Sequence, residues 1–228
     1  MAFLRSLLFT LVFYAGTVPI VLGTLLFSLF AESARFVVPR LWGQWFLLCT
    51  RYLLGIRLRI EGPLPSAPAL IAIKHQSAFE TIALLALFHR PATVMKAELQ
   101  KIPFWGWAAA RQGAIFVDRQ GSSASLRAMM KAAQKAVAAA RPIVIFPEGT
   151  RVPPGQTPPL AAGFAGLYKI ARYPVIPIAL DSGRLWTRAF VKRPGTITLR
   201  IHDAIPPGLP REEIEARVHA AINSFEPS

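Results

Sequence analysis

The stretch "ALIAIKHQSAFETIALLALF", residues 69–88, decides how this chain folds. Its first part, Ala69 to Lys74, is an apolar run ending in one charge; it lacks the alternation of a half-exposed strand, so it predicts a short strand buried on both faces. Its last part, "TIALLALF", predicts a helix, and Ser77-Ala78-Phe79-Glu80 matches the capping box, in which a serine and a glutamate satisfy the first backbone donors of a helix. A buried strand that turns directly into a helix is the unit of an α/β layer fold, with functional loops at the carboxyl ends of the strands.

Outward from this stretch the unit recurs. "GAIFVD" (113–118), "PIVIFPEG" (142–149) and "PVIPIALD" (174–181) are again nearly all apolar, whereas "IRLRIEG" (56–62) alternates apolar with basic residues and predicts a half-exposed strand. "SSASLRAMMKAAQKAVAAAR" (122–141) opens on serines and continues as an amphipathic, alanine-rich helix; "REEIEARVHAAINSF" (211–225) predicts a terminal helix. In the Pro-rich loop "RVPPGQTPPLAAG" (151–163), Thr157-Pro158-Pro159 resembles a helix start. The fold class expected is therefore α/β, a mostly parallel mixed sheet flanked by helices, filling residues 55–228.

Residues 1–54 predict something else, a membrane-anchoring helical segment. Ser6 to Ala31 contains no charge and is long enough to cross a hydrocarbon core of roughly 30 Å, although Gly16, Pro19 and Gly23 allow a kinked helix or a re-entrant hairpin instead of a straight span. The run is too long for the core of a cleaved signal peptide. Arg35, Arg40, Arg51, Arg57 and Arg59 follow it and only Arg5 precedes it, which places the bulk of the chain on the cytoplasmic side of an inner membrane. Leu41 to Ile56, with Trp42, Trp45 and Tyr52, predicts an interfacial helix.

Composition agrees with a lipid setting. Of 228 residues 53% are hydrophobic and 17% charged, and the mean hydropathy is +0.40, more apolar than a soluble domain of this size needs. A net charge of +14 implies anionic partners. Its basic residues are scattered and no aromatic-basic motif accompanies them, which argues against nucleic acid. A single cysteine, Cys49, excludes an intrachain disulfide and a cysteine metal cluster, and His75, His89, His202 and His219 lack metal-ligand spacing; no metal or prosthetic group is expected.

Three clusters carry candidate chemistry. His75 follows a strand, and a turn at residues 76–78 would let Glu80 reach its ring, orienting one nitrogen and leaving the other as a base; the capping box alone accounts equally well for the same residues. "FPEGTR" (146–151) follows a second strand and offers Gly149 for a tight turn, Thr150 as a hydroxyl and Arg151 as a planar fork for phosphate, beside Glu148. "KAELQKIPFWGWAAARQGAIFVDR" (96–119) sets Lys96, Arg111 and Arg119 among bulky apolar residues, suited to a phosphate and an acyl chain.

Taken in order, His75 with Glu80, "GAIFVDR" ending in Arg119, "FPEGTR" and "YPVIPIALDSG" (173–183) resemble the glycerolipid acyltransferases, specifically the 1-acyl-glycerol-3-phosphate (lysophosphatidate) acyltransferases, over roughly Ile60 to Trp186. The resemblance implies that His75 is the general base, oriented by Glu80, and that Arg119, Glu148, Gly149, Thr150 and Arg151 hold the substrate phosphate, with Lys96 an additional candidate and Glu148 orienting Arg151 or a glycerol hydroxyl. It implies transfer of an acyl group from acyl-CoA or acyl-ACP to the sn-2 hydroxyl of a lysophosphatidate at a phospholipid bilayer. Two departures stand out: the family's usual acid is Asp where this chain has Glu80, and "QTPPLAAG" (156–163) replaces the lysines that many members carry after the arginine. Other expectations from the same features are acylation of a lyso-aminolipid, or a non-catalytic protein that binds anionic lipid.

Overall fold

The computed structural model describes residues 1–30, 33–118 and 123–226. Seven strands form one sheet: β1 (Ile56–Glu61), β2 (Leu70–Ile73), β3 (Ala92–Lys96), β4 (Ile115–Val117), β5 (Ile143–Ile145), β6 (Val175–Leu180) and β7 (Gly195–Ile201), in the order β1-β7-β6-β2-β5-β3-β4. From β6 to β4 every neighbour pairs in parallel; β7 pairs antiparallel with β6 and parallel with β1, so these last two run against the other five. The expected mostly parallel mixed sheet is present.

Both faces are covered. On β2, Ile71 and Ile73 join a core shared with α1 (Ala2–Phe30), α2 (Ala34–Cys49) and α3 (Phe79–Leu87), while Leu70 and Ala72 join a second core with α5 (Ser123–Ala138), α6 (Gly163–Ala171) and α7 (Arg211–Ile222). Strand alternation thus divides one apolar run between two cores, which is why it shows no polar face. A further helix, α4 (Trp105–Gln112), follows β3. The helix suggested at Thr157 does not form there: α6 begins only at Gly163, because each residue preceding a proline is disfavoured in the helical region.

The amino-terminal segment is a helical hairpin. Helix α1 runs unbroken through Pro19, and α2 packs back along it before a π-helical turn, Thr50–Leu54, ends at Gly55 in the left-handed region (φ 72°). Trp42 and Trp45 lie between the two helices: Trp42 Nε1 donates to Thr17 Oγ1 at 3.0 Å and Trp45 Nε1 to the Phe13 carbonyl at 3.3 Å. Their polar tips are spent within the hairpin rather than on a lipid boundary, while Tyr52 is 70% exposed. Gly43 lets α2 approach α3 closely; a Cβ there would lie 2.7 Å from the Ala86 nitrogen. Phe9 and Phe13 of α1 enter the core beside Phe46, Phe79 and Trp186, yet Leu11, Val18, Leu22, Leu26 and Phe27 remain exposed. Ala2–Gly23 is long and apolar enough to cross a membrane.

Candidate active site

Register assembles the site. Ala72 of β2 sits opposite Ile145 of β5, so the residues three positions on, His75 and Glu148, leave the sheet side by side; on the other flank Ile73 pairs with Ile178 of β6, which brings Ser182 to the same rim. This is the carboxyl-end rim of the parallel strands, the usual ligand edge of such sheets.

The loop at residues 74–78 turns as the sequence suggested, and Glu80 reaches His75: Nδ1 lies 2.9 Å from Oε1. The same Oε1 accepts the backbone N–H groups of Gln76 (2.7 Å) and Ser77 (2.6 Å), while Oε2 accepts the hydroxyls of Ser77 (2.8 Å) and Ser182 (2.7 Å). Ser77 Oγ in turn accepts the Phe79 N–H. The capping and orienting roles are therefore held by one carboxylate at once. Burial raises the Glu80 carboxyl, but the His75 hydrogen bond and charge, the Ser77 amide and the Ser182 hydroxyl outweigh it and hold the group below its ordinary range. A charged Glu80 fixes the proton on Nδ1, which leaves Nε2 as the basic nitrogen. Nε2 makes no hydrogen bond with the described residues, and the side chain, stacked on Phe146 at 4.2 Å, keeps 9% of its surface exposed.

The turn at Phe146–Gly149 closes through the Gly149 N–H to Phe146 carbonyl bond, with Gly149 in the left-handed region (φ 71°) that favours glycine. Glu148 does not orient Arg151: its Oε1 accepts Lys74 Nζ at 2.6 Å and its Oε2 the His75 backbone N–H at 3.2 Å. The physical reason is Lys74, whose side chain is fully buried at the end of β2 and requires a counter-charge. Lys74 Nζ also donates to Asn223 Oδ1 (2.6 Å) and the Gln156 carbonyl (2.9 Å), and Gln76 bonds Glu226 and Gly183, so the end of α7 and the Pro-rich loop brace the histidine's own loop. The expectations from sequence included none of Lys74, Ser182, Asn223 and Gln76; a charge closing an all-apolar strand was the one available signal.

Arg151 is exposed and has no acidic partner among the described residues. Burial, and then the charge of Arg151, lower the Lys192 ammonium, which also lies 5.2 Å over the Trp186 ring. A second cation thus stands near Arg151. Thr150 is exposed on the same turn. Lys96 ends β3, two strands from β2, exposed and paired with Glu98 at 2.9 Å. Arg119 lies outside the described residues. Among the described residues no group of His, Cys, Asp and Glu is arranged to hold a metal.

The arrangement suits proton removal next to an anion. Comparisons with known proteins supply the family: the acyltransferase family model matches residues 55–181. The 1-acyl-sn-glycerol-3-phosphate acyltransferase of Pseudomonas aeruginosa is 36% identical over 89% of this chain and 80% of its own, and the human beta enzyme of that name is 28% identical over 76% and 65%. The crystal structure of a 1-acyl-sn-glycerophosphate acyltransferase from Thermotoga maritima shares the fold, with a TM-score of 0.79 over 99% of this chain and 96% of that one at 24% identity. On these matches the chain belongs to the acyltransferase family that includes the 1-acyl-sn-glycerol-3-phosphate acyltransferases, and it is an acyl-transferring enzyme.

Proposed function

We propose that this enzyme transfers a fatty acyl group from an acyl thioester, acyl-CoA or acyl-ACP, to the free sn-2 hydroxyl of 1-acyl-glycerol-3-phosphate, giving phosphatidate. The observation that carries the reading is the His75–Glu80 pair at 2.9 Å, with Nε2 left free at the sheet rim beside the Phe146–Arg151 turn. Nε2 removes the hydroxyl proton as the oxygen attacks the thioester carbonyl. The tetrahedral intermediate then expels the thiolate, which takes that proton back. Glu80 stays ionised and stabilises the imidazolium in between. Such base assistance contributes about 10²- to 10⁴-fold to rate. Arg151, with Arg119, holds the lysophosphatidate phosphate and Lys96 adds positive potential; Gly149 and Thr150 shape that turn, and Glu148 keeps its place behind it. The reading needs no metal or prosthetic group, only the thioester as co-substrate.

Relatives named for 1-acyl-sn-glycerol-3-phosphate support the acceptor, and the exposed apolar face of α1 supports an enzyme resident at a phospholipid bilayer; the excess of arginines after the apolar run over the single Arg5 before it supports a catalytic rim toward the cytoplasm. The test is turnover of the purified full chain with lysophosphatidate and each donor, for wild type, His75→Ala and Arg151→Gln. Loss of at least about a hundredfold in kcat for His75→Ala with the fold intact, and a KM rise for Arg151→Gln confined to phosphate-bearing acceptors, are expected. Unchanged turnover in His75→Ala, or rates indifferent to the acceptor phosphate, would overturn the mechanism or the headgroup assignment respectively.

A further inference from the structure

At the opposite rim of the sheet, where β3 and β5 begin, three arginines surround one aromatic ring. The guanidinium carbons of Arg90, Arg35 and Arg141 lie 4.5, 4.9 and 5.0 Å from the centre of the Phe36 ring. They are thus within about one Debye length of one another, ~10 Å, and feel each other's charge. Burial, then the charges of Arg90 and Arg35, push the Arg141 guanidinium down to about 10.

Holding the fold together accounts for only part of this cluster. Arg141, at 8% exposure, donates to the carbonyls of Arg90 (2.9 Å), Pro91 (2.9 Å) and Gln112 (2.8 Å) and makes a long 3.5 Å contact from Nη1 to Gly113. Those bonds stitch the starts of two strands to the end of α4. The Arg90 side chain does no such stitching. Its Nε is buried without a hydrogen-bond partner, and neither Arg90 nor Arg141 has a carboxylate partner among the described residues. Beside them opens a cleft of about 100 Å³ whose polar lining is Ser66, His89, Arg90 and Arg141. That is the volume of about three water molecules, the scale of one tetrahedral oxyanion.

We propose that this cleft is a second anion site, taking a phosphate group at the end of the sheet away from His75. Planar guanidinium forks and an exposed imidazole match phosphate oxygens, and an anion would relieve the repulsion between half-buried Arg90 and buried Arg141. The surroundings favour a phospholipid headgroup as the source. Phe36 and Arg35 lie in the first turn of α2, and the exposed apolar side chains of α1 reach Leu26 and Phe27 just before it, with exposed Val37 and Leu41 just after. A lipid with its tails along that hairpin would present its phosphate here; free phosphate carries the same chemistry.

The experiment titrates the full chain in neutral, phosphate-free detergent with inorganic phosphate, and separately incubates it with nanodiscs of phosphatidylcholine with and without phosphatidylglycerol. Wild type is compared with Arg90→Gln, His89→Ala and Arg217→Gln, the last removing an equal charge from α7. Saturable binding in at least one arm is expected, weakened roughly ten- to a hundredfold by Arg90→Gln and more mildly by His89→Ala, unaffected by Arg217→Gln, with turnover on lysophosphatidate retained. Binding only to phosphatidylglycerol discs identifies a headgroup as the source; binding of inorganic phosphate shows that the small ion suffices. No saturable binding in either arm, or equal weakening by Arg90→Gln and Arg217→Gln, would overturn the site. His89→Ala, at an exposed position, keeps the test decisive should Arg90→Gln fail to fold.

Discussion

Replacing Lys74 by methionine should unfold this enzyme far more readily than its distance from any reacting atom suggests. The lysine side chain is fully buried and its ammonium donates to Glu148, Asn223 and the Gln156 carbonyl at 2.6, 2.6 and 2.9 Å. Methionine fills the stem but removes every one of those donors, leaving the equally buried Glu148 carboxylate with the 3.2 Å bond from the His75 N–H alone. Breaking a buried ion pair from one side costs about 3–5 kcal/mol, which for a chain of this length lowers the thermal midpoint by roughly 6–20 °C. Removing the negative charge as well, in Lys74→Met/Glu148→Gln, should recover a large part of that loss, because no uncompensated charge remains inside. Unfolding in neutral detergent followed by tryptophan fluorescence reads all four corners of the cycle, and turnover below the transition reports whether the His75 loop has shifted. If each single variant loses less than about 1 kcal/mol and the double variant is their simple sum, the two groups are not coupled as described.

Three further outcomes follow from the same geometry. Because the folded-state pKa of Glu80 is depressed, its stabilisation is complete above the ordinary value of 4.5 and is lost as pH falls through the lower folded value; acidification below about 4.5 should therefore lower the midpoint of wild type more than that of Glu80→Gln, and parallel curves would contradict the assignment. Ser182→Ala removes one of the donors to Glu80 Oε2 and should cost about 1 kcal/mol of stability and a less than tenfold fall in kcat with KM little changed; a KM effect alone would point to substrate contact instead. Gly43→Val pushes a side chain into the Ala86 backbone and should destabilise by about 1–3 kcal/mol, measured by thermal unfolding, with activity returning at low temperature; a neutral result would mean that α2 and α3 separate freely.

What the sequence disclosed and what it concealed divide by separation along the chain. His75 and Glu80 are five residues apart, so turn chemistry alone could bring them together. Lys74 meets Glu148 across 74 residues and Asn223 across 149, and Ser182 meets Glu80 across 102. Those contacts exist only because β2 lies between β5 and β6, an order that the apolar runs do not specify. The strands buried on both faces were legible from their unbroken apolar character. β3, "ATVMK", and β7, "GTITLRI", were not, since each mixes polar residues into a short stretch that composition does not separate from loop. For the indoles of Trp42 and Trp45, residue type suggested a lipid boundary where α1 supplied an acceptor instead.

Phe9 and Phe13 give the amino-terminal helix a duty besides the lipid contact proposed for it. A version trimmed to start near residue 55 for handling in water would not merely float free; with Phe9 and Phe46 gone it would open a hole against Phe79 and Trp186, the former four residues from the histidine. The apolar helix is a wedge in the body of the enzyme rather than a leash, so in the membrane residence proposed above the height of His75 over the lipid surface is fixed by side-chain packing and cannot be tuned by lengthening a linker.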